Sequence, residues 1–97
     1  MVIWTPRAHA DLKAIHDRIR NDAPINARRV TQKILDKAAG LQDFPGTHKS
    51  VPEARTDDLH EVSASTWRII YHPRNNNIYI IAVVHKRQRL EEERLQH

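Results

Sequence analysis

The sequence predicts an α+β fold: a small twisted antiparallel sheet with an N-terminal strand and an αα-hairpin packed on one face, ordered β-α-α-β-β-β with a short C-terminal helix. Three observations carry this. Trp67 to Arg89, WRIIYHPRNNNIYIIAVVHKRQR, reads as two long strands around a polar turn with a basic exit. Two earlier stretches have apolar residues at helical spacing, separated by a polar break and a proline. The length of 97 residues suits a single domain spanning 1–97, which buries roughly 60 to 70% of its unfolded surface around one core.

In chain order, Val2 to Trp4 is a short β-prone run ended by Thr5-Pro6, where Thr caps a helix and Pro takes its first position. From Pro6 to Arg20 the apolar residues Ala8, Leu12, Ile15 and Ile19 form one stripe. Asn21 to Pro24 interrupts, and Ala27, Val30, Ile34, Ala38 and Leu41 make a second stripe on a helix ending near Asp43. So short a link makes the helices antiparallel neighbours sharing one apolar surface. The outer side of the second helix carries Arg28, Arg29, Lys33 and Lys37, a row that fits a solvated face or a docking surface.

Phe44-Pro45-Gly46 stops that helix, and the segment to Asp58 is a long loop bearing His48, Lys49, Glu53 and Arg55. Leu59 to Ser63 is a short strand with Val62 as its core residue. An even-numbered turn after it places Glu61 on the face of Arg68 and an odd-numbered one separates them; burying Val62 argues for even. With the final turn at Arg74 to Asn77, Pro73 pairs with Ile78, Tyr71 with Ile80, Ile69 with Ala82 and Trp67 with Val84. This face belongs under the helices. The other collects Arg68, Ile70, His72, Tyr79, Ile81, Val83, His85 and Arg87, mixed and cationic at one end, suited to meeting a ligand. Truncating Trp67 or Ile80 to alanine is then expected to cost about 2 to 5 kcal/mol, and Arg68→Ala much less. The tail from Gln88 to His97 is helix-prone, with Leu90 and Leu95 to bury.

Sixteen Lys and Arg against twelve Asp and Glu give a net charge of +4, which favours an acidic partner. There is no cysteine for a disulfide or thiolate site, and no apolar run of spanning length, so a soluble cytoplasmic protein without membrane contact is expected. His9 and His16 lie seven apart on a helix with no carboxylate at complementary spacing, and two glycines do not make a phosphate-cradling loop. Neither a metal nor a cofactor is expected.

The order and spacing of several motifs resemble the RelE/ParE superfamily of type II toxin-antitoxin toxins over nearly the whole chain. They are Trp4, Ala10-Asp11-Leu12 with Ile15, Asp22-x-Pro24-x-x-Ala27, Phe44-Pro45-Gly46, Val51-Pro52-Glu53, Glu61, Trp67-Arg68-Ile69-Ile70-Tyr71 and Val84-His85-x-Arg87. Glu61 followed by an apolar residue, with the hairpin and loop motifs, looks more like the ParE pattern. RelE-like members cut messenger RNA in the ribosome; ParE-like members poison DNA gyrase. The resemblance implies a cognate antitoxin as partner, with operator DNA contacted only through that antitoxin, and either gyrase or the ribosome and mRNA as target.

Ribonuclease chemistry needs a base for the ribose 2′-OH, cations for the phosphorane-like charge and an acid for the leaving oxygen. Arg68 and Arg87 match two basic RelE-type positions, whereas two further lysine positions fall on Leu59 and Glu61. For a nuclease the candidate catalytic set is Glu61, Arg68, His85 and Arg87, with His60 and His72 as other imidazoles. For a gyrase inhibitor the candidate target-binding set is Arg68, His85, Lys86, Arg87 and Arg89. Arg28, Arg29, Lys33 and Lys37 are the candidate antitoxin contacts.

Overall fold

The computed structural model describes residues 1–43, 50–53 and 58–88, and its elements follow the predicted order: β1 (Val2–Trp4), α1 (Pro6–Arg20), α2 (Pro24–Gly40), β2 (His60–Ala64), β3 (Trp67–Arg74) and β4 (Asn77–His85). Phe44-Pro45-Gly46, His48, Lys49, Arg55, Arg89 and the predicted tail helix lie outside the described residues. No helix among the described residues is long and apolar enough to cross a membrane.

Thr5 joins the first two elements to the sheet. Its side-chain oxygen accepts from the Ala8 N–H at 3.3 Å, capping α1, while its hydroxyl donates to the Ile80 carbonyl at 2.6 Å. Pro6 follows at the first helical position, where a missing N–H costs nothing. In α2, Pro24 has the same place, and the turn after Gly40 continues to Asp43 through an Asp43 N–H to Gly40 carbonyl bond of 3.2 Å. Both predicted stripes face the core: Ala8, Ile15, Ala27, Ile34, Ala38 and Leu41 are buried, and Leu12, Ile19 and Val30 are partly buried against them. α1 packs on α2 and β4, and α2 also reaches β2 and β3.

The sheet order is β1-β4-β3-β2. β2, β3 and β4 form the expected antiparallel meander, whereas β1 lies parallel to β4, with Val2 opposite Ile78 and Trp4 opposite Ile80. The sheet is therefore mixed. Asn75 and Asn76 both take left-handed backbone, at φ 52° and 65°, making the tight two-residue connection that twisted hairpin strands favour. Pro73 pairs with Ile78 and Tyr71 with Ile80, as read from sequence.

Beyond that point a bulge corrects the register. Ile70 pairs with Ala82, so Ile81 is an extra residue on β4; Ile69 then meets Val83 rather than Ala82, and Trp67 meets His85 rather than Val84. Val83 faces the helices with Ile69, Tyr71, Ile78 and Ile80, while Ala82 and Val84 join Ile70 on the opposite face. The backbone near the bulge is held from α1 and its cap. Thr5 bonds the Ile80 carbonyl, and the Asp11 carboxylate accepts the Val83 N–H at 3.0 Å.

The second face is also less open than alternation suggested. Val51 and Leu59 come from beside the sheet to close a second apolar cluster with Ile70, Ile81, Ala82 and Val84, all buried. The end of that face toward Arg68 is polar.

Candidate functional site

Two-residue turns keep side-chain parity, so the Ser65-Thr66 turn places Glu61 and Ser63 of β2 on the same face as Arg68 and Ile70 of β3: Ser63 lies opposite Arg68 and Glu61 opposite Ile70. Val62 is buried on the helix side, as that parity requires. A third contributor arrives from outside the strands. The Ser50–His60 bridge and a Val51 N–H to Leu59 carbonyl bond of 3.2 Å fasten residues 50–53 alongside β2, and Glu53 reaches Arg68.

Arg68 donates all five of its N–H groups. Nε and Nη2 hold the two Glu61 oxygens at 3.0 and 3.1 Å; Nη1 and Nη2 hold the two Glu53 oxygens at 2.8 Å each; Nη1 also donates to the Gln88 carbonyl at 3.0 Å. Each carboxylate is gripped in the two-pronged geometry to which a planar guanidinium is suited. The three side chains are almost fully enclosed, at 9% exposure for Arg68, 6% for Glu53 and 4% for Glu61. The Glu53 bonds foremost, and those to Glu61 after them, push the guanidinium further above its ordinary range, against burial, which alone would lower it. One cation and two anions leave the trio with an excess negative charge.

An open cleft of about 520 Å³ lies over the trio, lined by Pro52, Glu53, Glu61, Ser63, Arg68, Lys86, Arg87 and Gln88. Lys86 and Arg87 are exposed on its rim. Their position follows from β4 running out past the sheet, where the Lys86 N–H donates to the Thr66 carbonyl at 2.8 Å and the Arg87 N–H to His85 Nδ1 at 3.1 Å.

Of the residues singled out from sequence, the fold brings Glu61, Arg68, Lys86 and Arg87 together. His85 goes elsewhere: the bulge turns it to the Trp67 side, where the rings meet edge to face at 5.4 Å, and it does not line the cleft. The expected common face for His85 and Arg68 is thereby corrected. His60 stacks on Tyr71 with ring centres 5.7 Å apart, also away from Arg68. Arg28, Arg29, Lys33 and Lys37 are all exposed on α2, across the sheet from the cleft.

Glu53 was visible in sequence as a loop carboxylate but not as the partner of Arg68. Ser63 follows from the alternation that placed Glu61. The Gln88 contribution is a backbone carbonyl, for which side-chain patterns carry no signal.

Chemically, the trio holds charge in place rather than offering it. Both oxygens of Glu61 already accept from Arg68, and the guanidinium has no remaining N–H for an incoming oxyanion. The cations left to meet a partner at this cleft, among the described residues, are Lys86 and Arg87.

Comparison with known proteins fits this fold. A toxin called RelE2 from Caulobacter vibrioides is 41% identical over 44 residues, which are 45% of this chain and 50% of that one, so the chain spans about half the length of the curated relative it matches. A solved structure of the chromosomal ParDE TA system from P. aeruginosa superposes with a TM-score of 0.74 at 21% identity, covering 87% of this chain and 92% of the other, a likeness of fold. The model of the family described as ParE toxin of type II toxin-antitoxin system, parDE, matches residues 2–90, and the chain belongs to that family.

Proposed function

We propose that this toxin acts by inhibiting DNA gyrase and is neutralised by a cognate antitoxin. The observation that carries the reading is the saturation of Arg68: a ribonuclease needs cations free to meet the scissile phosphate, and here the central guanidinium is committed to two carboxylates. A phosphodiester entering beside Glu53 and Glu61 meets an excess of negative charge, and among the described residues no imidazole lines the cleft to act as base. Arg87 and Lys86 then serve as binding groups for a protein target. Arg28, Arg29, Lys33 and Lys37 give the antitoxin a separate, cationic surface on α2, with operator DNA left to the antitoxin.

The second reading is a ribosome-dependent mRNA endonuclease, favoured by the stretch shared with a toxin called RelE2 and by a carboxylate, Glu61, beside two rim cations. Programmed ribosomes separate the two. With purified chain added, intact message supports the gyrase reading; cleavage that disappears in Glu61→Gln and Arg68→Ala, in variants shown to be folded, overturns it.

A further inference from the structure

The two edges of the Arg68 guanidinium are occupied by unlike partners. Glu61, on the Nε side, belongs to β2 and is fixed by the sheet ladder. Glu53, on the Nη1–Nη2 end, belongs to residues 50–53, which lie beside the sheet and are fastened to it through Val51. Arg68 and Glu53 both line the cleft rimmed by Lys86 and Arg87.

We propose that the Nη1–Nη2 edge of Arg68 is a carboxylate slot which Glu53 fills from within the chain, and that an acidic segment of a partner protein displaces Glu53 by placing a Glu or Asp there while lying along Lys86 and Arg87. The occupant already present defines the chemistry. A planar carboxylate receives both prongs at 2.8 Å, and a second carboxylate exchanged for it adds no charge beside Glu61. A phosphate monoester would bring a second negative charge to the same place and meets the slot less well. With Glu53 withdrawn, the described residues of the cleft lining hold three cations, Arg68, Lys86 and Arg87, against Glu61, and so favour an acidic guest.

Tethering sets the strength of the competition. A group held on the same chain acts at an effective concentration on the order of millimolar, so a lone carboxylate in solution does not displace Glu53. A segment with several acids does, because the rim cations hold it as well. Glu53→Gln removes the competitor while keeping its size, since the amide NH₂ turns a donor toward a donor.

The experiment uses the full chain and a hexaglutamate peptide in calorimetry, with a single-stranded oligonucleotide and inorganic phosphate in parallel. Glu53→Gln is expected to bind the peptide at least about tenfold tighter than wild type. Asp58→Asn, an exposed acid giving the same change in net charge, is expected to stay within about twofold of wild type. Lys86→Ala with Arg87→Ala is expected to weaken binding in both backgrounds. Equal or weaker peptide binding by Glu53→Gln overturns the slot and leaves Glu53 a structural tie. A larger gain for the oligonucleotide or phosphate than for the peptide overturns the carboxylate assignment. Should Glu53→Gln not fold, the Arg68 Nε–Hε resonance of the wild type decides: a saturable shift with peptide supports the slot, and no shift overturns it. Because no target enters these titrations, their outcome is independent of whether the toxin acts on gyrase.

Discussion

Replacing Arg68 by methionine keeps the bulk of the side chain and removes its charge and all five hydrogen bonds. What remains is two carboxylates with side-chain exposures of 6% and 4%, facing each other with no cation between them. Deleting one partner of a buried ion pair costs about 3 to 5 kcal/mol, most of it the penalty of leaving charge in a place poor in water. An exposed pair costs only about 0 to 1 kcal/mol. Against a total of about 5 to 15 kcal/mol, Arg68→Met then matches Ile80→Ala, a fully buried truncation worth about 2 to 5 kcal/mol. This departs from the expectation from sequence, where Arg68 stood on an open face and its loss was to cost much less than that of Ile80.

Urea unfolding at neutral pH measures both variants. Adding Glu61→Gln to Arg68→Met is expected to restore part of the loss, a non-additivity that distant sites do not show. The pH dependence has a definite sign. Arg68 has its folded pKa raised above the unfolded value, so its contribution is complete throughout the neutral range and fades only in strong alkali. A loss under about 1 kcal/mol at neutral pH would refute the buried-trio reading.

Three further outcomes are expected. Asp11→Ala leaves the Val83 N–H beside the bulge without its acceptor and is expected to cost about 1 to 3 kcal/mol in the same unfolding assay; Asn at this position, still an acceptor, should cost less. Burial pushes the Tyr71 phenol up to about 12, so stability is whole below about pH 10 and falls between about 10 and 12 as the unfolded chain ionises first, by about 2 to 3 kcal/mol; Tyr71→Phe should flatten that alkaline fall. Affinity for the antitoxin, measured calorimetrically, should drop as salt is raised and drop again when Arg28, Arg29, Lys33 and Lys37 are neutralised; salt-independent binding would remove α2 from the interface.

Most of the architecture was legible because each element had an unambiguous signal. Thr5-Pro6 marked the start of α1, helical spacing marked both stripes, and Asn75-Asn76 supplied the left-handed turn that fixed Pro73 against Ile78. The bulge at Ile81 was not legible, because Ile78 to Val84 is apolar at nearly every position and either parity buries a hydrophobic residue. That ambiguity displaced His85. The parallel pairing of β1 depends on the reach of the chain over α1 and α2, which local pattern does not encode. In the site, strand parity placed Glu61 beside Arg68. The consequence, a guanidinium with no free donor, arose from Glu53 across a long loop and from a backbone carbonyl at Gln88. Arg68 therefore read as a surface cation until its partners were in view.

Gyrase inhibition is tested most directly by supercoiling of relaxed plasmid with purified gyrase, ATP and the purified chain. The expected result is a dose-dependent block, with gyrase–DNA complexes trapped, that is relieved by stoichiometric antitoxin. Full supercoiling at every toxin concentration, from a preparation that still binds its antitoxin and stops growth, would contradict the proposal.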